Sequence, residues 1–109
     1  MNSTHPRHSD AIADAELALK LADARPTGPA TDALRERLRA HIRDLAADAD
    51  AYAHSLADGR ARDIAIDTVR HARAVASDTP QDPAANLRLL AKGAHHLARY
   101  AAAAQGQRQ

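Results

Sequence analysis

The sequence predicts an all-α protein, an antiparallel up-down bundle of four helices, and three observations carry that prediction. Alanine, the strongest helix former, makes up about a quarter of the chain, while β-branched residues are scarce and aromatics amount to 2%. Large apolar residues recur at steps of three and four, the spacing of one helix face. Proline- and glycine-bearing clusters, Arg25-Pro26-Thr27-Gly28-Pro29 and Asp78-Thr79-Pro80-Gln81-Asp82-Pro83, cut the periodic runs into segments.

Residues 1–8 are polar and include Pro6, which predicts a disordered lead-in. Ser9 is the expected N-cap of a first helix, with Asp10 in its first turn, running to about Ala24 on Ile12, Leu17, Leu19 and Leu21. Those leucines alternate rather than hold one face, so this is the shorter, less regular member; three long helices with a short appended one is the variant reading. The second helix is the most regular. Thr31 or Asp32 is expected to cap it, and Leu34, Leu38, Ile42, Leu45, Ala49, Tyr52 and Leu56 form a near-heptad seam before a C-terminal Gly59. A third helix over 60–77 gathers Ala61, Ile64, Ala65, Thr68, Val69, Ala72, Val75 and Ala76 in one arc. Asp82 and Pro83 open a fourth, carried by Leu87, Leu90, Ala94, Leu97, Ala101 and Ala104. One domain over 9–104 is expected, with 105–109 frayed.

The 109 residues suit a single domain. Lys and Arg number 15 against 14 Asp and Glu, a formal charge of +1, so no global bias points to nucleic acid or a membrane. Cysteine is absent, which removes disulfides, thiolate metal sites and thiol catalysis. The opening residues lack the apolar run of a secretory signal, and nothing approaches the roughly 20 apolar residues of a membrane span. The expected compartment is therefore the cytoplasm, with no membrane partner. A core rich in alanine buries little surface, so homodimerisation is expected to supplement it.

Three segments carry a family resemblance. Leu38-Arg39-Ala40-His41-Ile42-Arg43-Asp44-Leu45 resembles a Leu-Arg-Gly-His-Leu-x-x-Leu segment, with Ala40 in place of Gly. Ala65-Ile66-Asp67-Thr68-Val69-Arg70-His71-Ala72-Arg73 is similar to Ala-Leu-x-x-Val-x-x-Ala-Arg, and Leu90-Ala91-Lys92-Gly93-Ala94-His95-His96-Leu97 to Leu-Ala-Arg-Ser-Val-x-x-Leu. These belong to a family of small actinomycete proteins of unknown function, labelled natural-product-biosynthesis proteins, and the likeness covers residues 17–104. The family ends its last helix on Cys-Asp-His-Tyr-Glu, where this chain has Ala98-Arg99-Tyr100-Ala101-Ala102. The resemblance implies an association with that biosynthesis and no particular chemistry.

Asp50 with His54, and Asp67 with His71, stand four apart on one helix side, a spacing that can chelate a metal. A di-metal carboxylate bundle needs several glutamates, and only Glu16 and Glu36 are present, so no metal and no cofactor is assigned. His95 and His96 point in two directions, and His41 borders the second-helix seam as a packing residue. No phosphate loop or nucleophile elbow occurs, and Ser55 diverges by 100° from His54, so no catalytic residue is assigned and enzymatic activity is not expected.

Charge is the more informative pattern. Arg88, Lys92, His95 and Arg99 form a basic ridge with no acid in it. The second helix carries Arg35, Arg37, Arg39 and Arg43 in its first half and Asp44, Asp48, Asp50 and Asp58 in its second, the reverse of what the helix dipole favours. Up-down packing gathers Arg35, Arg39, Arg70, Arg73 and Arg88 toward one pole. These residues, with Arg43, Lys92, His95 and Arg99, are the candidate contacts for an anionic partner or a second copy; the plain alternative is a solvated surface. The expected function is that of a non-enzymatic helical interaction or regulatory protein, an adaptor acting as a homodimer. The alternatives are a nucleic-acid-associated regulator using the basic pole, and a small ligand-binding bundle with Tyr52, Tyr100 and the histidines around a pocket.

Overall fold

A computed structural model of the chain describes residues 6–22, 28–77 and 83–107. They form four helices, α1 (Pro6–Ala22), α2 (Pro29–Ser55), α3 (Arg60–Ser77) and α4 (Pro83–Gln107). No helix among the described residues is long and apolar enough to cross a membrane.

The helices alternate in direction. Arg7 pairs with Asp48 at 3.4 Å and Asp14 with Arg37 at 3.2 Å, so α1 and α2 run antiparallel. Gly93 of α4 abuts both Ile42 and Ala72, and Tyr52 stacks on Tyr100, which sets α2 and α4 side by side and parallel. That pair is the centre of the bundle. Both helices touch α1 and α3, which do not touch each other among the described residues. A flattened body of 42 × 33 × 19 Å results.

The apolar spacing explains this centre. Leu34, Leu38, Ile42, Leu45 and Ala49 of α2, and Leu87, Leu90, Ala94, Leu97 and Ala101 of α4, are all buried. Each fully buried leucine or isoleucine contributes roughly 1.5–3 kcal/mol. The outer helices are smaller contributors. α3 buries Ala65, Val69, Ala72 and Val75, while Ala61 and Ile64 of the expected arc are exposed because the arc is wider than the strip α2 and α4 cover. α1 departs further from expectation. Its buried stripe is Ala11, Ala15, Ala18 and Ala22, with Ile12, Leu19 and Leu21 only half-buried and Leu17 44% exposed. Alanine at these steps lets α1 lie close against α4.

Several helix ends also differ. α1 starts at Pro6, not after Ser9, so residues 6–8 of the expected lead-in are helical and His8 is buried. Proline suits that first position because its missing N–H has no helical partner there. α2 starts at Pro29 for the same reason, and the Gly28 carbonyl accepts from the Asp32 N–H at 3.0 Å; neither Thr31 nor Asp32 is the cap. Gly59 does not close α2, which ends on an extended Leu56. With φ +144°, Gly59 instead opens α3, its carbonyl accepting from the Asp63 N–H at 3.2 Å. Pro83 opens α4 as expected, whereas α4 continues to Gln107, past the expected fraying at residue 105, because the alanine run favours helix and Ala101 and Ala104 pack inward. Residues 1–5, the 23–27 break, the Asp82 cap and residues 108–109 lie outside the described residues.

Candidate functional site

The candidate cations differ in their surroundings. On α2 and α3 most of them meet an acid one helical turn away. Arg35, 8% exposed, donates to Asp32 at 2.9 Å; Arg39 pairs with Glu36; Arg70 pairs with Asp67 at 3.3 Å. Arg43 donates to the Arg39 carbonyl and, with Arg73, flanks an alanine-floored depression between α2 and α3. Arg73 and Arg70 border a second depression with Asp50 and His54.

The ridge of α4 is different. No Asp or Glu occurs anywhere in α4. Lys92 and Arg99 are exposed, His95 and Arg88 half-buried. Neither Lys92 nor Arg99 has an ion-pair partner among the described residues.

Beside this ridge, α3 and α4 enclose a groove of about 370 Å³. α3 supplies Ile64, Asp67, Thr68, His71 and Ala72; α4 supplies Leu89, Lys92, Gly93 and His96. Ile64 and Leu89, 52% and 43% exposed, are two of the three large apolar side chains left exposed among the described residues. Gly93 sets the floor. A methyl there would stand 3.1 Å from the Ala72 Cβ and 3.4 Å from the Ile42 Cδ1, so the missing side chain permits close approach of the helices. The polar groups divide by role. Thr68 spends its hydroxyl proton on the Ile64 carbonyl at 2.8 Å, and Asp67 turns to Arg70. Desolvation, with the electrostatic influence of nearby His95, Arg99 and Lys92, holds His96 below the usual imidazole range, so at neutral pH it is an uncharged hydrogen-bonding group. Lys92 is the permanent cation of the groove.

The tyrosines and histidines separate into different places. Tyr52 and Tyr100 stack at 5.4 Å and border another depression with His96, Arg99 and Ala103. His96 therefore borders both that depression and the α3–α4 groove, and His71 borders the groove alone. His54 lies on the α2–α3 side, its Nδ1 2.9 Å from the Asp50 carbonyl. The two Asp–His pairs thus open onto opposite sides of α3. Among the described residues, no group of three or more His, Cys, Asp or Glu is gathered closely enough to hold a metal ion. His41, expected as a packing residue, is half-buried and binds Asp14, its Nε2 2.8 Å from Oδ2.

Ile64, Leu89 and Gly93 were not among the candidate site residues. One signal marks the site in the sequence: a glycine inside a regular helical run costs about 1 kcal/mol and usually reports a packing need. No curated protein and no solved structure matches the chain. A family match covers residues 10–106, nearly the whole helical region. The chain belongs to that family, a family of unknown function designated DUF6415.

Proposed function

We propose that the protein is a non-enzymatic, small-ligand-binding helical bundle that acts as a regulator through its α3–α4 groove. The carrying observation is the pair of exposed apolar side chains, Ile64 and Leu89, at the mouth of a groove floored by Ala72 and Gly93. Its volume of about 370 Å³ falls in the range of small-molecule sites. Its size favours a small molecule over a protein partner as the primary occupant. A standard interface buries about 1,600 Å² around large apolar anchors, and this face offers two aliphatic side chains and no aromatic one.

Homodimerisation through the same face is a secondary proposal. Its support is the presence of Asp63 and Asp67 on α3 and of Lys92 and Arg99 on α4, opposite charges that two copies could exchange. A nucleic-acid role draws less support, because Arg35, Arg39 and Arg70 already give their guanidiniums to carboxylates. The association with natural-product biosynthesis rests on the three helical segments alone, and a small-ligand regulator is compatible with it.

The test is an amide NMR titration with 1-naphthalenemethanol, a neutral probe of suitable size. Saturable shifts confined to the stretches around Ile64–Ala72 and Leu89–His96 are expected, with a Kd of about 0.1–1 mM. Ile64→Ser and Leu89→Ser, both at exposed positions, should weaken binding several-fold without unfolding the chain. Shifts that never saturate, or that spread over all four helices, would refute the assignment.

A further inference from the structure

We propose that the ligand of the α3–α4 groove is an apolar molecule bearing a single carboxylate, with Lys92 as its charge partner and His96 and His71 beside the carboxylate. This assignment rests on the groove being the binding site, and it adds the chemical class of the occupant.

Three features of the groove converge on it. The floor and mouth, formed by Ala72, Gly93, Ile64 and Leu89, favour an apolar body. The wall carries one permanent cation, and it is uncommitted. Lys92 makes no ion pair among the described residues, while Arg35, Arg37, Arg39, Arg62 and Arg70 each face a carboxylate. Arg99 lies seven residues along the same ridge, and α4 has no acid to offset either. The acid of the groove, Asp67, is engaged by Arg70 at 3.3 Å, which reduces its repulsion of an incoming anion.

The donor set selects the kind of anion. A phosphate or other dianion is typically cradled by a fork of arginines or by several free backbone N–H groups at a helix start. This groove lies along the middle of two helices, whose N–H groups are spent on the helical ladder. It offers one ammonium and two imidazoles, and Thr68 has no hydroxyl proton to spare. One ammonium balances one negative charge, and an uncharged imidazole N–H can donate to the second carboxylate oxygen. A groove of about 370 Å³ accommodates one or two fused rings or a short branched chain better than a long acyl tail.

The experiment compares three probes of one shape on the full chain at neutral pH: 1-naphthoate, 1-naphthalenemethanol and 1-naphthylmethylamine. The carboxylate is expected to bind about five- to tenfold more tightly than the alcohol, and the amine most weakly. Raising salt from about 50 to about 500 mM should narrow the gap between carboxylate and alcohol. Lys92→Ala should remove most of that gap, weakening the carboxylate several-fold more than the alcohol, and Lys92→Arg should retain it. Equal binding of carboxylate and alcohol, or an equal loss of both in Lys92→Ala, would overturn the carboxylate assignment and leave the groove itself standing. Absence of all three probes from the groove would overturn both.

Discussion

Asp14 sits where α1 meets α2, and two side chains share its oxygens. His41 Nε2 approaches Oδ2 at 2.8 Å, and Arg37 donates through Nε at 3.2 Å. Burial pushes the carboxyl up, but these two hydrogen bonds and their charges outweigh it and hold Asp14 below its ordinary 3.8. Because the folded value is depressed, the contribution to stability is fully present above the unfolded value. It is lost as pH falls through the folded one. Asp14→Asn should therefore cost about 1 kcal/mol near neutral pH. The deficit should shrink as pH falls below about 4, because the wild-type carboxyl is protonated first in the unfolded chain and then, at lower pH, in the folded one. Urea titrations of both proteins at several pH values would measure this. A deficit that stayed constant down to about pH 2 would show that packing, not charge, is lost. The sequence placed His41 at the edge of the α2 seam and could not name its partner. The pair spans two helices, and only the register of α1 against α2 selects Asp14 over its neighbours Asp10 and Glu16.

Among the elements, α1 shows most plainly where a hydropathy pattern misleads. Leu17, Leu19 and Leu21 dominate the apolar content of this helix, yet the buried stripe is Ala11, Ala15, Ala18 and Ala22. Alanine gives little hydropathy contrast on a helical projection, and what it supplies is closeness of approach. In α2 and α4 the same spacing is filled by leucine and isoleucine, so their inward faces were legible. Opposite outcomes follow for two substitutions in α1. Leu17→Ala removes a side chain that is 44% exposed and should change stability by under about 0.5 kcal/mol. Ala15→Leu forces extra methylenes into a position 0% exposed and should destabilise by about 1–3 kcal/mol. Thermal or urea unfolding of the two variants would decide it. The reverse order of effects would mean that α1 packs through its leucines.

In the molecule as a whole, the groove and the stability share one origin, the α2–α4 pair. α4 touches all three other helices, and its glycine at position 93 draws α3 and α2 inward at one level. The fold class was legible because helix propensity and apolar period agree over most of the chain. The groove was not, because it depends on which large side chains the neighbours fail to cover. Ile64 falls beyond the strip buried by α2 and α4, and Leu89 points away from the face that carries Leu87 and Leu90. The same layout orders local stability. α2 and α4 hold seven of the largest fully buried side chains, Leu34, Leu38, Ile42, Leu45, Leu87, Leu90 and Leu97, whereas the fully buried apolar residues of α1 are all alanines. Opening α1 exposes methyl groups and half-buried residues but leaves the central leucines of α2 paired with those of α4. Native-state hydrogen exchange should accordingly find the slowest amides in the middles of α2 and α4, near the global unfolding free energy. The amides of α1 should exchange through a smaller opening, at a free energy lower by about 1–3 kcal/mol. Amides of α1 that exchange only with global unfolding would show that the alanine stripe is bound as firmly as the leucine seam.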